Sequence, residues 1–240
     1  MADGTRFAIY FVPAAESALY RFGAAVLGHN CYNGQEIARP GDLGLSAADW
    51  DELTREPRTY GFHATLKPPF RLAGALGQAE LVKEARLLAS ALSAIPLIEP
   101  AVESVAGFIA IVPRTASAAL DQLAARCVTA LDRFRLPLTP QERERRLAAG
   151  LSERQIALLD RFGYPYVLEE FRFHMSLTGR IGFARREAVL ALLRDAFARA
   201  VGYAPVPIDR LAVLRQDDRQ ARFRVVEQIP LKAPDPGRPS

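Results

Sequence analysis

Two short segments each pair an imidazole with a hydroxyl: Phe62-His63-Ala64-Thr65-Leu66 and Phe173-His174-Met175-Ser176-Leu177. Both read Phe-His-x-(Thr/Ser)-Leu, and together they hold two of the three histidines in the chain. Side chains alternate along a β-strand. A strand over either segment therefore sends the His and the Thr/Ser to one face and the apolar residues to the other. Each polar face then carries a group that can move protons near neutral pH and a hydroxyl that can donate to an oxyanion. A matched pair of proton carriers is what in-line displacement at phosphorus can use. A lone histidine on a strand is more often a satisfied structural residue. The repetition of the whole pattern weighs toward catalysis at His63, His174, Thr65 and Ser176.

Other groups near the motifs bear on the same chemistry. Lys67 and Arg180 follow the histidines by four and six residues and could clamp a phosphate, as a point charge or a planar fork. Tyr60 and Arg172 flank the motifs and could enter the same cleft. Each of these four is also readily explained as a solvated or packing side chain. Tyr164 and Tyr166 could stack on a base or ribose, although core packing explains them as well. His29 and Trp50 read as structural. No carboxylate or cysteine stands at metal-ligand spacing from the motif histidines, so no metal site is expected.

The elements that must position these groups can be read from pattern. Arg6 to Pro13 is a strand, and a helix with Leu19, Phe22, Val26 and Leu27 on one face follows. Residues 28 to 60 look irregular, with a short helix near Ser46 to Leu53 and a loop over Arg55 to Gly61. Lys67-Pro68-Pro69 ends the first motif strand, because proline cannot donate to a ladder. A helix carries Leu81, Val82, Ala85, Leu88, Ala89 and Leu92. One strand spans 101 to 112, and another helix carries Leu120, Leu123, Ala124, Cys127, Val128 and Leu131. Thr139-Pro140-Gln141-Glu142 and Ser152-Glu153-Arg154-Gln155 are helix starts, with a stop at Gly163. The second motif strand spans Glu170 to Thr178. A helix from Arg185 to Ala200 and strands near 208–215 and 223–229 close the domain. The tail over 233–240 is proline-rich and reads as disordered.

His63 and His174 stand 111 residues apart, and the similarity extends beyond the motifs. Leu81 and Val82 follow His63 at the offsets where Leu192 and Leu193 follow His174, and Ala85 matches Ala196. The expectation is two strand–helix–strand units about a pseudo-twofold axis that faces the histidines toward one cleft.

Composition bounds the rest. The 240 residues are 50% hydrophobic and carry a formal charge of +4, enough for a sizeable core and compatible with an anionic ligand. No dense basic stripe interleaved with aromatics points to nucleic acid. Cys31 and Cys127 are too few for a disulfide framework and read as buried thiols. The apolar run Phe7 to Val12 is too short for a leader core or a membrane span, so a cytoplasmic location is the expectation.

With both motifs complete, the chain resembles the two-histidine (2H) phosphoesterase superfamily over residues 5 to 230. The stretch from Tyr60 to Phe70 resembles a bacterial branch of unassigned function that accompanies phosphonate-utilisation genes. The resemblance implies an α+β, bilobal, LigT-like fold with two pseudo-symmetric lobes and antiparallel sheets flanking a central cleft. It implies one domain over residues 1–232. It also implies a metal-independent phosphoric diester hydrolase with no cofactor, His63 and His174 as the acid/base pair, and Thr65 and Ser176 as phosphate donors. Helical sequence over 139–162 exceeds what a minimal member needs and reads as a lid or substrate selector. The substrate that fits the branch is a sugar cyclic phosphate such as ribose 1,2-cyclic phosphate 5-phosphate. The alternatives are an RNA-end 2′,3′-cyclic phosphodiesterase and a non-catalytic nucleotide- or RNA-binding module. The oligomeric state is not legible.

Overall fold

The first motif strand, β2 (Ala64–Phe70), lies beside the second, β6 (Met175–Ser176), at the middle of a seven-stranded sheet. The computed structural model describes residues 4–38, 44–92 and 96–231, and the tail expected to be disordered lies outside them. The remaining strands are β1 (Arg6–Phe11), β3 (Leu97–Ile98), β4 (Pro100–Val105), β5 (Phe108–Pro113), β7 (Val206–Pro207), β8 (Arg210–Gln216) and β9 (Arg224–Pro230). The helices are α1 (Ala18–Leu27), α2 (Ala47–Arg58), α3 (Gln78–Ser90), α4 (Ala118–Ala130), α5 (Pro140–Leu147), α6 (Glu153–Phe162) and α7 (Phe183–Ala200). The fold is α+β, and its strand pairs are antiparallel.

The main sheet runs β4-β5-β6-β2-β1-β8-β9, and β3 pairs with β7 in a small second sheet. This order has an internal symmetry. Exchanging β2 with β6, β1 with β5, and β8 with β4 maps the six strands other than β9 onto themselves. The helix after each motif obeys the same exchange, since α3 packs on β8 and α7 packs on β4. Each half thus takes its third strand from the other repeat. The two sheets expected on either side of a cleft are continuous here, joined through a single residue pair, Ala64 and Met175.

Local chemistry explains most of the elements. Ser17 caps α1 and Gly28 ends it in the left-handed region. Thr139 and Ser152 form capping boxes for α5 and α6, and Gly163 terminates α6. On the core face of the motifs, Phe62, Ala64, Leu66, Met175 and Leu177 are essentially fully buried, and Phe173 nearly so. Helix α1 presses onto this face so closely that a Cβ on Gly23 would lie 2.2 Å from the Phe62 ring.

Four expectations are corrected. The short helix near 46–53 continues as α2 to Arg58 and absorbs most of the loop expected over 55–61. Pro57 is tolerated because the Leu53 carbonyl it leaves without an intrahelical donor accepts from Gly179 N–H at 2.7 Å instead. Strand β2 does not stop at Pro68-Pro69. These prolines sit at a register irregularity between Ile9↔Lys67 and Phe7↔Phe70, and β6 is too short to need their donors. The single strand over 101–112 is a hairpin, β4–β5, turning on Ala106 and Gly107 at φ 46° and 96°, the geometry of a tight two-residue turn. The second motif strand is a two-residue strand, and Leu168–Glu170 is a 3₁₀ turn.

The contact between α1 and the motif generates a stability prediction. Gly23→Ala is expected to destabilise the protein by about 1–3 kcal/mol through overpacking against Phe62. Urea unfolding checks this; a midpoint equal to that of the wild type would contradict the close approach.

Candidate active site

The pair Ala64↔Met175 fixes the geometry. Continuing that antiparallel register by one residue each way sets His63 across from Ser176 and Thr65 across from His174. Paired rows share a face, so four polar side chains make a rectangle on the face opposite the core. His63 and His174 occupy one diagonal, where Cβ atoms lie about 7–8 Å apart. All four side chains are partly exposed, while their neighbours in sequence point into the core.

Both imidazoles are held in the same way. His63 Nδ1–H donates to the Gly61 carbonyl at 2.9 Å, and His174 Nδ1–H to the Arg172 carbonyl at 2.7 Å. A backbone carbonyl only accepts, so each neutral ring carries its proton on Nδ1 and presents a lone pair at Nε2. Gly61 aims its carbonyl by adopting φ +73°, and a Cβ there would meet Cys31 Cβ at 2.6 Å. His63 Nε2 accepts from the Thr65 hydroxyl at 3.2 Å.

Burial pushes the His63 pKa down to about 4, opposed in part by the Gly61 carbonyl and assisted, to a smaller degree, by the charge of a protonated His174. Burial also lowers His174, opposed by the Arg172 carbonyl. The two rings therefore sense each other, and both are neutral at pH 7 when the site is empty. Two neutral Nε2 lone pairs and two hydroxyls on one face can accept and donate protons around a single tetrahedral anion.

The sequence missed Tyr10. It lies on β1 opposite Thr65 and stacks on the His63 ring at 3.7 Å between centroids, 18° from parallel. Burial raises its pKa well above the usual phenol value. The period-2 pattern of β1 was the signal available, but without the register it could not say that Tyr10 meets His63. Tyr60 is near the site as expected, 6.3 Å from the His63 ring and stacked on Phe223 at 5.5 Å. Phe108 tilts toward His174 at 5.4 Å.

The other flanking cations are placed differently. Strict alternation would bring Lys67 to the face of His63 and Thr65. Between Tyr10↔Thr65 and Ile9↔Lys67, however, β2 has one extra residue, and this bulge takes Lys67 off that alternation. Lys67 is 1% exposed and donates to the Val128 carbonyl at 3.1 Å and Asp132 at 3.2 Å. It is an internal ion pair rather than a phosphate clamp. The second motif ends alike: Leu177 and Thr178 N–H both donate to the Ile109 carbonyl, and Thr178 is buried. Arg180 is exposed, with its guanidinium beside the β4–β5 turn at Gly107. Arg172 lies at the rim beside His174, with its guanidinium donating to the Glu169 and Phe171 carbonyls. Cys31 and Cys127 are buried free thiols. His29 is buried and Trp50 packs in the core. Among the described residues no group of three or more His, Cys, Asp or Glu stands together as a metal site, and no helix is long and apolar enough to cross a membrane.

This geometry yields a test of Lys67. Lys67→Ala should lower stability by about 2–4 kcal/mol, because it opens a gap in a buried site and removes the donor to the Val128 carbonyl, while Asp132 keeps its pair with Arg135 and phosphate binding at the histidine face stays intact. Denaturation together with phosphate titration separates the two. Loss of anion affinity without loss of stability would restore Lys67 to the site.

The model of a family described as "Protein of unknown function (DUF1045)" matches residues 65–224, and the chain belongs to that family. A protein of Janthinobacterium sp. (strain Marseille) named ribose 1,5-bisphosphate phosphokinase PhnN is 37% identical over 229 residues, covering 94% of this chain and 51% of its own. A protein of the same name from Laribacter hongkongensis (strain HLHK9) is 33% identical over 225 residues, covering 93% and 51%. The chain thus spans about half the length of these curated relatives. A crystal structure titled as a phosphoesterase is similar with a TM-score of 0.40 at 13% identity, covering 95% of this chain and 99% of that one.

Proposed function

We propose that this member of the DUF1045 family opens a cyclic phosphodiester by acid–base catalysis at His63 and His174, without a metal ion. The observation that carries the reading is the His63–Ser176/His174–Thr65 rectangle about the Ala64↔Met175 pair, with both rings tied through Nδ1 and the Nε2 of His63 already hydrogen-bonded to the Thr65 hydroxyl.

The ring's phosphate lies between the two imidazoles, and the Thr65 and Ser176 hydroxyls donate to its non-bridging oxygens, where charge builds in the transition state. His63 is the harder ring to protonate, because the charge of His174 adds to its burial. It starts neutral and takes a proton from water as the new P–O bond forms. His174 starts protonated, favoured by the bound anion, and gives its Nε2 proton to the sugar oxygen as the old P–O bond breaks. One proton enters the pair and one leaves, so its total charge is unchanged; His63 then gives up its proton and His174 regains one through solvent before the next turnover.

The substrate that suits this chemistry is ribose 1,2-cyclic phosphate 5-phosphate. Breaking the bond between phosphorus and O2 yields ribose 1,5-bisphosphate, the compound in the names of the two relatives. Those relatives are about twice as long as the region they share with this chain. None of this chain's lysines, Lys67, Lys83 and Lys232, follows a glycine, so it carries no Gly-Lys-Ser/Thr phosphate loop. We assign the named kinase step to their remaining half and ring opening to the part shared here.

His63→Ala and His174→Ala are each expected to cut turnover about 10²–10⁴-fold, with little change in ligand affinity, and the double variant should be only slightly worse. Assay of ring opening by phosphorus NMR, with and without EDTA, reads this. Normal turnover in either variant, or activity lost to EDTA and restored by a divalent ion, contradicts the mechanism.

The pH profile follows from the shifts. Activity in the free protein needs His63 neutral and His174 protonated. It falls at low pH as His63 protonates near pH 4, and at high pH as His174 loses its proton below the usual 6.5. A bell-shaped kcat/KM with its maximum between these values is expected, and a maximum above pH 7 would count against it.

A further inference from the structure

At the Lys67–Arg71 end of β2 lies a cavity of about 280 Å³ whose wall is dominated by cations. Arg6, Arg71, Arg145, Arg146 and Arg219 line it, and Glu142 is the one carboxylate in the wall among the described residues. Glu142 is already committed. It accepts from Arg71 at 2.7 Å, lies 3.6 Å from Arg219, and caps the start of α5 through Thr139 N–H. Arg145 and Arg146 have no carboxylate partner among the described residues. Helix α5, which supplies Glu142, Arg145 and Arg146, buries none of its residues. It is tied to α6 by the pair Arg143–Asp160 at 2.6 Å. A helix with no apolar anchor, whose arginines face a cavity, has no packing reason for that charge. A cleft lined mainly by one sign of charge concentrates counter-ions.

The cavity communicates with the histidines through aromatic rings. Arg6 and Tyr10 lie two alternations apart on β1, so they share the sheet face of the rectangle, roughly 13 Å apart at their Cα atoms before the arginine reaches back. Arg6 and Tyr164 both act electrostatically on the Tyr10 phenol, which stacks on His63. Arg146 lies over the Tyr164 ring at 5.3 Å. The line from His63 through Tyr10 and Tyr164 thus ends at Arg146 and the cavity.

We infer that this cavity is a subsite for a second phosphate on the substrate, a phosphomonoester dianion gripped by the arginines of α5 and β1 while the cyclic phosphate reacts at the histidines. This rests on the ring-opening reading above. The ligand is a small sugar phosphate with a terminal phosphate rather than a polynucleotide, since about 280 Å³ is of a size for one phosphorylated group. Guanidinium forks suit such a dianion better than ammonium points do.

The test uses the full chain and its Arg145→Ala/Arg146→Ala variant. Alanine preserves helix propensity, and neither position is buried. Kinetics are run on ribose 1,2-cyclic phosphate with and without the 5-phosphate, and ribose 5-phosphate binding is measured by calorimetry. The variant should lower the preference for the 5-phosphorylated substrate, as a kcat/KM ratio, by about ten- to a hundredfold, and weaken ribose 5-phosphate binding by a similar factor. If neither substrate turns over but ribose 5-phosphate binds and the variant loses it, the subsite stands and the reaction assignment falls. An unchanged preference, or ribose 5-phosphate bound equally by both proteins, overturns the subsite. So does an RNA oligonucleotide ending in a 2′,3′-cyclic phosphate that loses more from the substitutions than the sugar phosphate does.

Discussion

One backbone pair, Ala64 against Met175, holds the two halves of the main sheet in register. Everything polar at the candidate site follows from it. A shift of one residue in that pairing would send every motif side chain to the wrong face and bury imidazoles where Phe62 and Met175 now sit. The register is secured from the core side. Ala64 and Met175 are themselves inaccessible to solvent, and so are the residues two further along, Leu66 and Leu177. A slip would exchange apolar side chains for histidine and threonine in a close-packed layer. Packing by the apolar set thus specifies the position of the polar set, although the two never touch.

Desolvation and hydrogen bonding pull the imidazoles in opposite directions, and desolvation wins. The carbonyls of Gly61 and Arg172 favour protonation, yet both rings remain below the ordinary histidine value. An empty site with two neutral bases repels no anion, and it lacks the proton that a leaving group would need. An anion arriving between the rings changes that balance, since its charge favours imidazolium in a site of low polarity. The Tyr10 ring stacked on His63 contributes to this desolvation, because it replaces water on one face of the imidazole. In the proposed reaction, binding and activation are then coupled through charge.

Much of this was legible in the sequence because it rests on local rules. Alternation placed Phe62, Ala64 and Leu66 in the core and His63 and Thr65 outside it. The capping boxes at Thr139 and Ser152 located α5 and α6, and apolar spacing located α1, α3, α4 and α7. What escaped depends on contacts distant in sequence. Pro57 reads as a helix breaker until Gly179 is seen to use the carbonyl it leaves open. Lys67 reads as a neighbour of the phosphate until the extra residue in β2 takes it out of step. Ala106 concealed a hairpin because alanine seldom adopts the positive φ it has there. Tyr10 and the arginines of α5 belong to the site only through tertiary placement, which no local pattern records.

The exchange of β4 and β8 between the halves leaves neither half self-sufficient. Each repeat owns a strand that completes the other half of the sheet, β4 beside β5 and β8 beside β1. Loss of either repeat would therefore strip an outer strand from both halves at once. The symmetry stops at the histidines, since Tyr10 stacks on one ring while Phe108 tilts toward the other.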